Sequence, residues 1–272
     1  MNADNRKKQL FLSTIPKAGT YLIAEFMELL GYSNTGFHIG VDRYLDTKNF
    51  DHNINATLPS KTVKLAGFVD ILERMQSGQL AFGHLNPLDF PQDIRAKFHF
   101  ICGYRAPRTT LVSEFIDFRF RRKDVTWINA EAVSDDLQAF ETYLKRHGPE
   151  HRSIWAGFLA FHGFQQRRSP AVTSTLECVI FYDFDEVLSP EHGPSELMRL
   201  AAFLGDELER ANAVKLHEKL LLTRTKTSSR DTLFDLPREA LWTPAATHLY
   251  DLMGFPAVED YISRQLSPQP QD

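Results

Sequence analysis

Residues 11–22 read Phe11-Leu12-Ser13-Thr14-Ile15-Pro16-Lys17-Ala18-Gly19-Thr20-Tyr21-Leu22. An apolar run suited to a strand breaks at Pro16, turns through Ala18-Gly19, and resumes with helical period from Leu22 to Leu30. The unit predicted is strand, loop, helix. Such a loop aims the N–H groups that open the helix at one point, where the positive end of the helix dipole also lies. Gly19 lets the main chain come close, and Lys17 adds a full charge. An anion such as phosphate or sulfate suits this loop; read alone, the stretch suits equally an ordinary turn with a solvated lysine. It is not a Walker A loop, which ends in Gly-Lys-Ser/Thr, because here the lysine precedes the glycine.

Outward from this unit, strands are expected over 9–15, 79–84, 97–104 and 177–182, and helices over 20–30, 68–76, 135–146, 153–168, 195–204, 206–221 and 237–253. A further helix opens at Pro107, where a missing N–H costs nothing, and ends in the basic run Arg119, Arg121, Arg122, Lys123. Phe98, Phe100, Ile101 and Cys102 form a near-continuous apolar run, as a central parallel strand requires. Residues 33–61 show no period and read as a long loop, of the kind that is functional or mobile. Strands alternating with helices predict an α/β fold whose ligand lies off the carboxyl ends of a parallel sheet.

At 272 residues the chain suits one α/β domain over 9–266, with residues 1–8 flexible and 267–272 disordered. A net charge of −4 gives no global positive field for nucleic acid or an anionic membrane. Both cysteines, Cys102 and Cys178, lie in apolar runs and read as buried, inert thiols without a disulfide. The polar start has no apolar core behind it, and no apolar run approaches the ~20 residues that span a bilayer. The expectation is a soluble, cytoplasmic protein.

Pro16 to Leu22 resembles the 5′-phosphosulfate loop of the sulfotransferases that use 3′-phosphoadenylyl sulfate (PAPS), and Tyr104-Arg105-Ala106-Pro107-Arg108-Thr109-Thr110-Leu111-Val112-Ser113 resembles their 3′-phosphate motif, Y-R-N-P-x-D-x-x-x-S. Ala106 and Thr109 depart from that motif, but the arginine and serine keep its separation. The resemblance extends from about Phe11 to Asp235. It implies a single α/β domain with a central parallel sheet flanked by helices, the P-loop NTPase-like sulfotransferase fold. It also implies transfer of a sulfuryl group from PAPS to a hydroxyl or amine, releasing adenosine 3′,5′-bisphosphate (PAP), without a metal.

By that resemblance Lys17 meets the bridging oxygen, while Ala18, Gly19, Thr20 and Tyr21 supply N–H groups and Thr20 a hydroxyl. Leu22 stands where many members have an adenine-contacting tryptophan. Arg105 and Ser113 take the 3′-phosphate, since a guanidinium makes forked, charge-assisted bonds to phosphate. His84, in Phe82-Gly83-His84-Leu85-Asn86-Pro87, resembles the catalytic histidine of the K-T-H-L-P segment, with Phe82 replacing its lysine. An imidazole suits a general base near neutral pH, and His38 is the rival candidate.

Tyr182 resembles the adenine-stacking tyrosine of Y-E-D and reads equally as a core strand tyrosine. Arg224, Lys226 and Arg230, in the basic loop 223–235, either close over the 3′-phosphate or belong to a solvated loop. Asp42, Asp89, Glu114 and Asp117 hint at a polar or cationic acceptor such as a specialised metabolite. A small-molecule acceptor is the partner implied, without nucleic acid or membrane, and with a homodimer left open. The competing readings are a glycan or lipid sulfotransferase, a P-loop nucleotide kinase, and a catalytically silent nucleotide-binding module.

Overall fold

Leu10, Phe11 and Leu12 are wholly buried because their strand, Gln9–Thr14, is hydrogen-bonded to a parallel neighbour along each edge and lies inside the core. The computed structural model describes residues 7–48, 54, 57–129, 133–166, 178–222 and 236–266. Among these, the strands β1 (Gln9–Thr14), β2 (Ser33–Ile39), β3 (Arg43–Asp46), β4 (Val63–Leu65), β5 (Gln79–Gly83), β6 (Phe98–Tyr104) and β7 (Val179–Asp183) form one sheet ordered β4-β3-β2-β5-β1-β6-β7. β2, β5, β1, β6 and β7 run parallel, while β3 and β4 add an antiparallel edge.

The register aligns Ser13 with Gly83 on one side and with Cys102 on the other, so β1, β5 and β6 end at one level. From β1 the chain proceeds to β2 on one side, whereas β6 is followed by β7 on the other. A crevice therefore opens off the carboxyl ends at this switch point. Flanking helices include α1 (Thr20–Leu29), α2 (Phe68–Glu73), α3 (Pro107–Ile116), α4 (Asp136–Gln166), α5 (Phe184–Leu188), α6 (Gly193–Phe203), α7 (Arg210–Leu222), α8 (Pro244–Leu252) and α9 (Phe255–Tyr261).

The irregular loop expected over 33–61 is in part sheet, since β2 and β3 occupy much of its first half. The pairing of β2 with β5 shifts register between Asn34 and His38, which breaks the alternation that marks a strand in sequence. The two helices expected over 135–146 and 153–168 are one, α4, which passes through Gly148-Pro149. An interior proline costs about 3 kcal/mol. Tyr143 and Leu144 before it, and Trp155, Phe158 and Phe161 after it, are buried in the same core at roughly 1.5–3 kcal/mol each, and together they outweigh the break.

The helix expected over 237–253 is divided into a 3₁₀ turn, Arg238–Leu241, and α8. Pro244 cannot continue a helix from Thr243, whose hydroxyl instead accepts from the Ala246 N–H at 3.0 Å and caps α8. Lys7 and Lys8 of the expected flexible start are held: Lys7 Nζ donates to the Leu30 carbonyl and pairs with Asp206 at 3.2 Å, and Lys8 Nζ lies 3.0 Å from Cys178 Sγ. Cys178 is therefore only half-buried, just before β7, whereas Cys102 is buried in β6; both thiols are free. The expected tail, 267–272, lies outside the described residues.

Candidate active site

The loop from β1 to α1 holds two left-handed residues, Lys17 at φ 65° and Gly19 at φ 75°. A non-glycine residue there costs about 1–2 kcal/mol, so the surrounding structure must impose it. The Ala18 N–H donates to the Ile15 carbonyl at 3.1 Å, and the Tyr182 hydroxyl donates to the Ala18 carbonyl at 3.0 Å from below. Phe184 packs against Gly19 so closely that a Cβ there would lie 1.9 Å from its ring. Gly19 is the N-cap of α1 and supplies no side-chain bond, so the first turn turns uncapped amides outward. The Thr20 hydroxyl lies 2.5 Å from that of Thr14, which fixes its position.

Lys17 Nζ lies 2.7 Å from Asp117 Oδ2, with side-chain exposures of 12% and 8%. Asp117 opens a π turn, Asp117–Arg121, that extends α3, and its other oxygen pairs with Arg121. Burial pulls the Lys17 pKa down and Arg121 adds to the lowering, while Asp117 opposes both. One turn earlier, Glu114 Oε2 accepts from the Tyr143 hydroxyl at 2.7 Å and lies 3.1 Å from His151 Nε2. Burial pushes the Glu114 carboxyl up, but His151, the Tyr143 bond and Lys17 prevail and bring it to about 2.

His84 follows β5, and its Nδ1 lies 2.6 Å from the Thr14 carbonyl oxygen. A carbonyl only accepts, so Nδ1 carries the proton and Nε2 keeps its lone pair. Burial lowers the His84 pKa below 6.5, and this neutral tautomer is the one present at neutral pH. The His38 ring lies 4.8 Å from that of His84, with its Nδ1 3.3 Å from the Tyr21 hydroxyl. Burial together with His84 and Lys17 takes the His38 pKa to about 3, and burial raises that of Tyr21 to about 12.

Arg105 leaves the end of β6, where its Nε donates to Asp185 Oδ1 at 2.7 Å and its guanidinium lies 5.4 Å from the centre of the Phe184 ring. A single cavity of about 740 Å³ is lined by Lys17, Gly19, Thr20, Tyr21, Leu22, His38, His84, Arg105 and Ser113. Following the sheet order, it spans from Arg105 and Phe184 at one end, past the loop and both histidines, to Arg43 and Leu45 on β3. Its size is that of a small-molecule site.

Two expected site residues are not on that wall. Ala18 is fully buried, and Tyr182 is a core residue at 1% exposure whose hydroxyl supports the loop, so the aromatic on the wall beside Arg105 is Phe184 instead. Arg224, Lys226 and Arg230 lie outside the described residues. Of the four carboxylates thought to mark the acceptor, Glu114 and Asp117 line this cavity and the other two do not. Asp42 pairs with Arg43, Glu114 and Asp117 are engaged as above, and Asp89 lines a second cleft of about 410 Å³, which it shares with His84, Asn86 and Phe158.

The basic run after α3 divides. Arg119 is buried and binds Asp136 and the carbonyls of Ile128 and Val133, whereas Arg121 and Arg122 line the cavity. Sequence reasoning noted Asp117 and Arg121 but had no means of bringing them to Lys17, because a π turn has no sequence period of its own. Phe184 could have been sought as the aromatic next to Tyr182-Asp183.

No protein-family model matches the chain, and no curated protein sequence does so either. Among solved structures, mouse sulfotransferase SULT7A1 complexed with PAP is similar, at 15% identity over 94% of this chain and 90% of the other, with a TM-score of 0.59. Retinol dehydratase in complex with androsterone and inactive cofactor PAP is 13% identical over 96% and 82%, with a TM-score of 0.57. Retinol dehydratase with retinol and PAP is 13% identical over 98% and 83%, with a TM-score of 0.53. The chain has the fold of these proteins: a single α/β domain on a mostly parallel seven-stranded sheet flanked by helices, the sulfotransferase fold.

Proposed function

We propose that this protein is a PAPS-dependent sulfotransferase that passes a sulfuryl group to a hydroxyl or amine of a small molecule and releases PAP. What carries the reading is one cavity wall that combines an uncapped helix N-terminus and Lys17 with Arg105, Ser113 and a neutral His84. PAP in the similar solved structures supports the choice of nucleotide. PAPS would lie with its phosphosulfate at Lys17 to Leu22 and its 3′-phosphate at Arg105 and Ser113, where Arg105 would exchange its bond to Asp185 for, or share it with, the phosphate.

In the transfer, the acceptor oxygen or nitrogen forms a bond to sulfur as the bond from sulfur to the bridging oxygen breaks. The electron pair of the broken bond goes to the phosphate oxygen, which Lys17 stabilises, and the acceptor proton goes to His84 Nε2. Positioning and fixed positive charge supply the catalysis, so no step requires a metal. The reading includes a cytoplasmic protein without nucleic-acid or membrane partners, supported by the net charge of −4 and by the lack of a helix long and apolar enough to cross a membrane among the described residues. The missing Gly-Lys-Ser/Thr disfavours a nucleotide kinase.

The test incubates the protein with PAPS and a panel of phenols, alcohols and amines, and reads products by the mass gain of one SO₃. Transfer that survives EDTA is expected. Phosphorylated products from ATP that depend on Mg²⁺, with none from PAPS, would replace the reading with the kinase.

A further inference from the structure

We infer that His38 is the second contact of the acceptor: it donates a hydrogen bond from Nε2 to the acceptor oxygen while His84 takes that oxygen's proton, and the two together select a hydroxyl over an amine. The inference names the acceptor class of the proposed reaction and rests on that reading. The sheet brings the parts together. β2 and β5 run parallel, and beyond the register shift in β2 His38 stands beside Phe82, two residues before His84. Phe82 is wholly buried and packs edge-to-face against the rings of both Tyr21 and His38, at 5.3 and 5.6 Å between centres. The His38 ring stands at 78° to that of His84, with 4.8 Å between their centres. Tyr21, His38 and His84 line the same cavity.

What His38 offers follows from where its proton lies. It shares one hydrogen bond with Tyr21, from the hydroxyl oxygen to Nδ1 at 3.3 Å. A phenol is the more acidic donor of the two and an imidazole nitrogen the more basic acceptor, so Tyr21 donates and Nδ1 accepts. The single proton of the neutral imidazole is then on Nε2. Burial keeps both groups uncharged, with His38 at about 3 and Tyr21 at about 12. His38 Nε2 makes no hydrogen bond among the described residues, which leaves its N–H for a ligand. His84 is the complement, because its Nδ1–H is engaged by the Thr14 carbonyl and its Nε2 offers a lone pair. Two neighbouring imidazoles thus present one donor and one acceptor.

A hydroxyl oxygen satisfies both. Its proton goes to His84, one lone pair forms the bond to sulfur, and the other accepts from His38. The bond from sulfur to the bridging oxygen breaks at the same time, and its electron pair leaves with the phosphate. A neutral amine has a single lone pair, which the bond to sulfur uses. The His38 N–H then faces a nitrogen that has nothing to give it, and a buried donor left unpaired is costly. A site built to hydrogen-bond one group of a substrate discriminates against the analogue that lacks it.

The hydroxyl compound that the wild type sulfates fastest from PAPS is compared with the amine in which NH₂ replaces that hydroxyl. The wild type is expected to favour the hydroxyl in kcat/KM. His38→Leu should lower kcat/KM for the hydroxyl about 10-fold, with the amine and the PAP affinity unchanged within roughly twofold, as for loss of one hydrogen bond made to the oxygen alone. His38→Gln, whose side-chain amide supplies an N–H about as far from the backbone, should recover part of that loss. Tyr21→Phe, which keeps the ring against Phe82 and releases the His38 tautomer, should shift the same ratio in the same direction by less. An amine too slow to measure already meets the first expectation, and the hydroxyl loss with its recovery in His38→Gln then decides.

A wild type that is fastest with an amine, equal losses for hydroxyl and amine in His38→Leu, or no loss for either would overturn the inference and leave the parent reading intact. A wild type that transfers from PAPS to neither class would remove both.

Discussion

Replacing His84 by alanine should lower single-turnover transfer from PAPS by about 10²–10⁴-fold, the usual range for a positioned base, while PAP affinity stays nearly unchanged. The imidazole faces the acceptor's proton rather than the phosphates, and its Nδ1–H bond to Thr14 leaves Nε2 to accept. Alanine also leaves the Thr14 carbonyl without that donor, at a cost of about 1–3 kcal/mol of stability. His84→Asn separates the two effects, since its amide N–H can replace the bond while offering no base. It should melt nearer to the wild type and remain as slow as alanine.

The pH dependence has a definite sign. Burial lowers the His84 pKa below 6.5, so the base stays unprotonated at neutral pH and the acidic fall in kcat/KM lies below that value. That limb should vanish in both variants. A variant that keeps near wild-type turnover transfers the role to His38, whose pKa of about 3 would put the limb lower still.

Lys17→Ala should weaken PAP binding about 10-fold and slow the transfer step by a further 10²–10³-fold or so, because charge on the bridging oxygen grows as its bond to sulfur breaks. Alanine carries the same Cβ at φ 65°, so the backbone strain at this position is unchanged and the effect reports the ammonium group. Asp117 retains Arg121 as a partner, which keeps the buried carboxylate compensated. Calorimetry with PAP and single-turnover transfer together check the division, which differs from that of His84→Ala in affecting both quantities.

The parts of the fold legible in the sequence were those governed by local rules. Buried parallel strands announce themselves as apolar runs, and β1, β5, β6 and β7 were found in this way. Gly31 and Gly205, both at positive φ, mark where α1 and α6 end. Features set by tertiary contacts were hidden. β2 carries a register shift and few apolar residues, α4 crosses a proline that only core packing can outweigh, and Thr243 begins a helix inside an apparently continuous segment.

The site divides along the same line. Lys17, His84, Arg105 and Ser113 stand in motifs with fixed spacing, and the structure brings all four to one cavity. Tyr182 matched a motif position and still became core, because Gly103 opposite it leaves room for the ring and the Ala18 carbonyl takes its hydroxyl. The Lys17, Asp117 and Arg121 cluster depends on the meeting of a loop and a π turn separated by about 100 residues of chain, a distance over which no local pattern reaches.

The central claim, that the cavity is built for a 3′-phosphorylated adenine nucleotide, is tested most directly by calorimetric titration with PAP and with adenosine 5′-phosphate, using wild-type protein and Arg105→Ala. The account expects PAP to bind at least ~10-fold more tightly to the wild type, and Arg105→Ala to lose about 1.5–3 kcal/mol for PAP with little change for adenosine 5′-phosphate. Equal affinity of the wild type for the two nucleotides would contradict it.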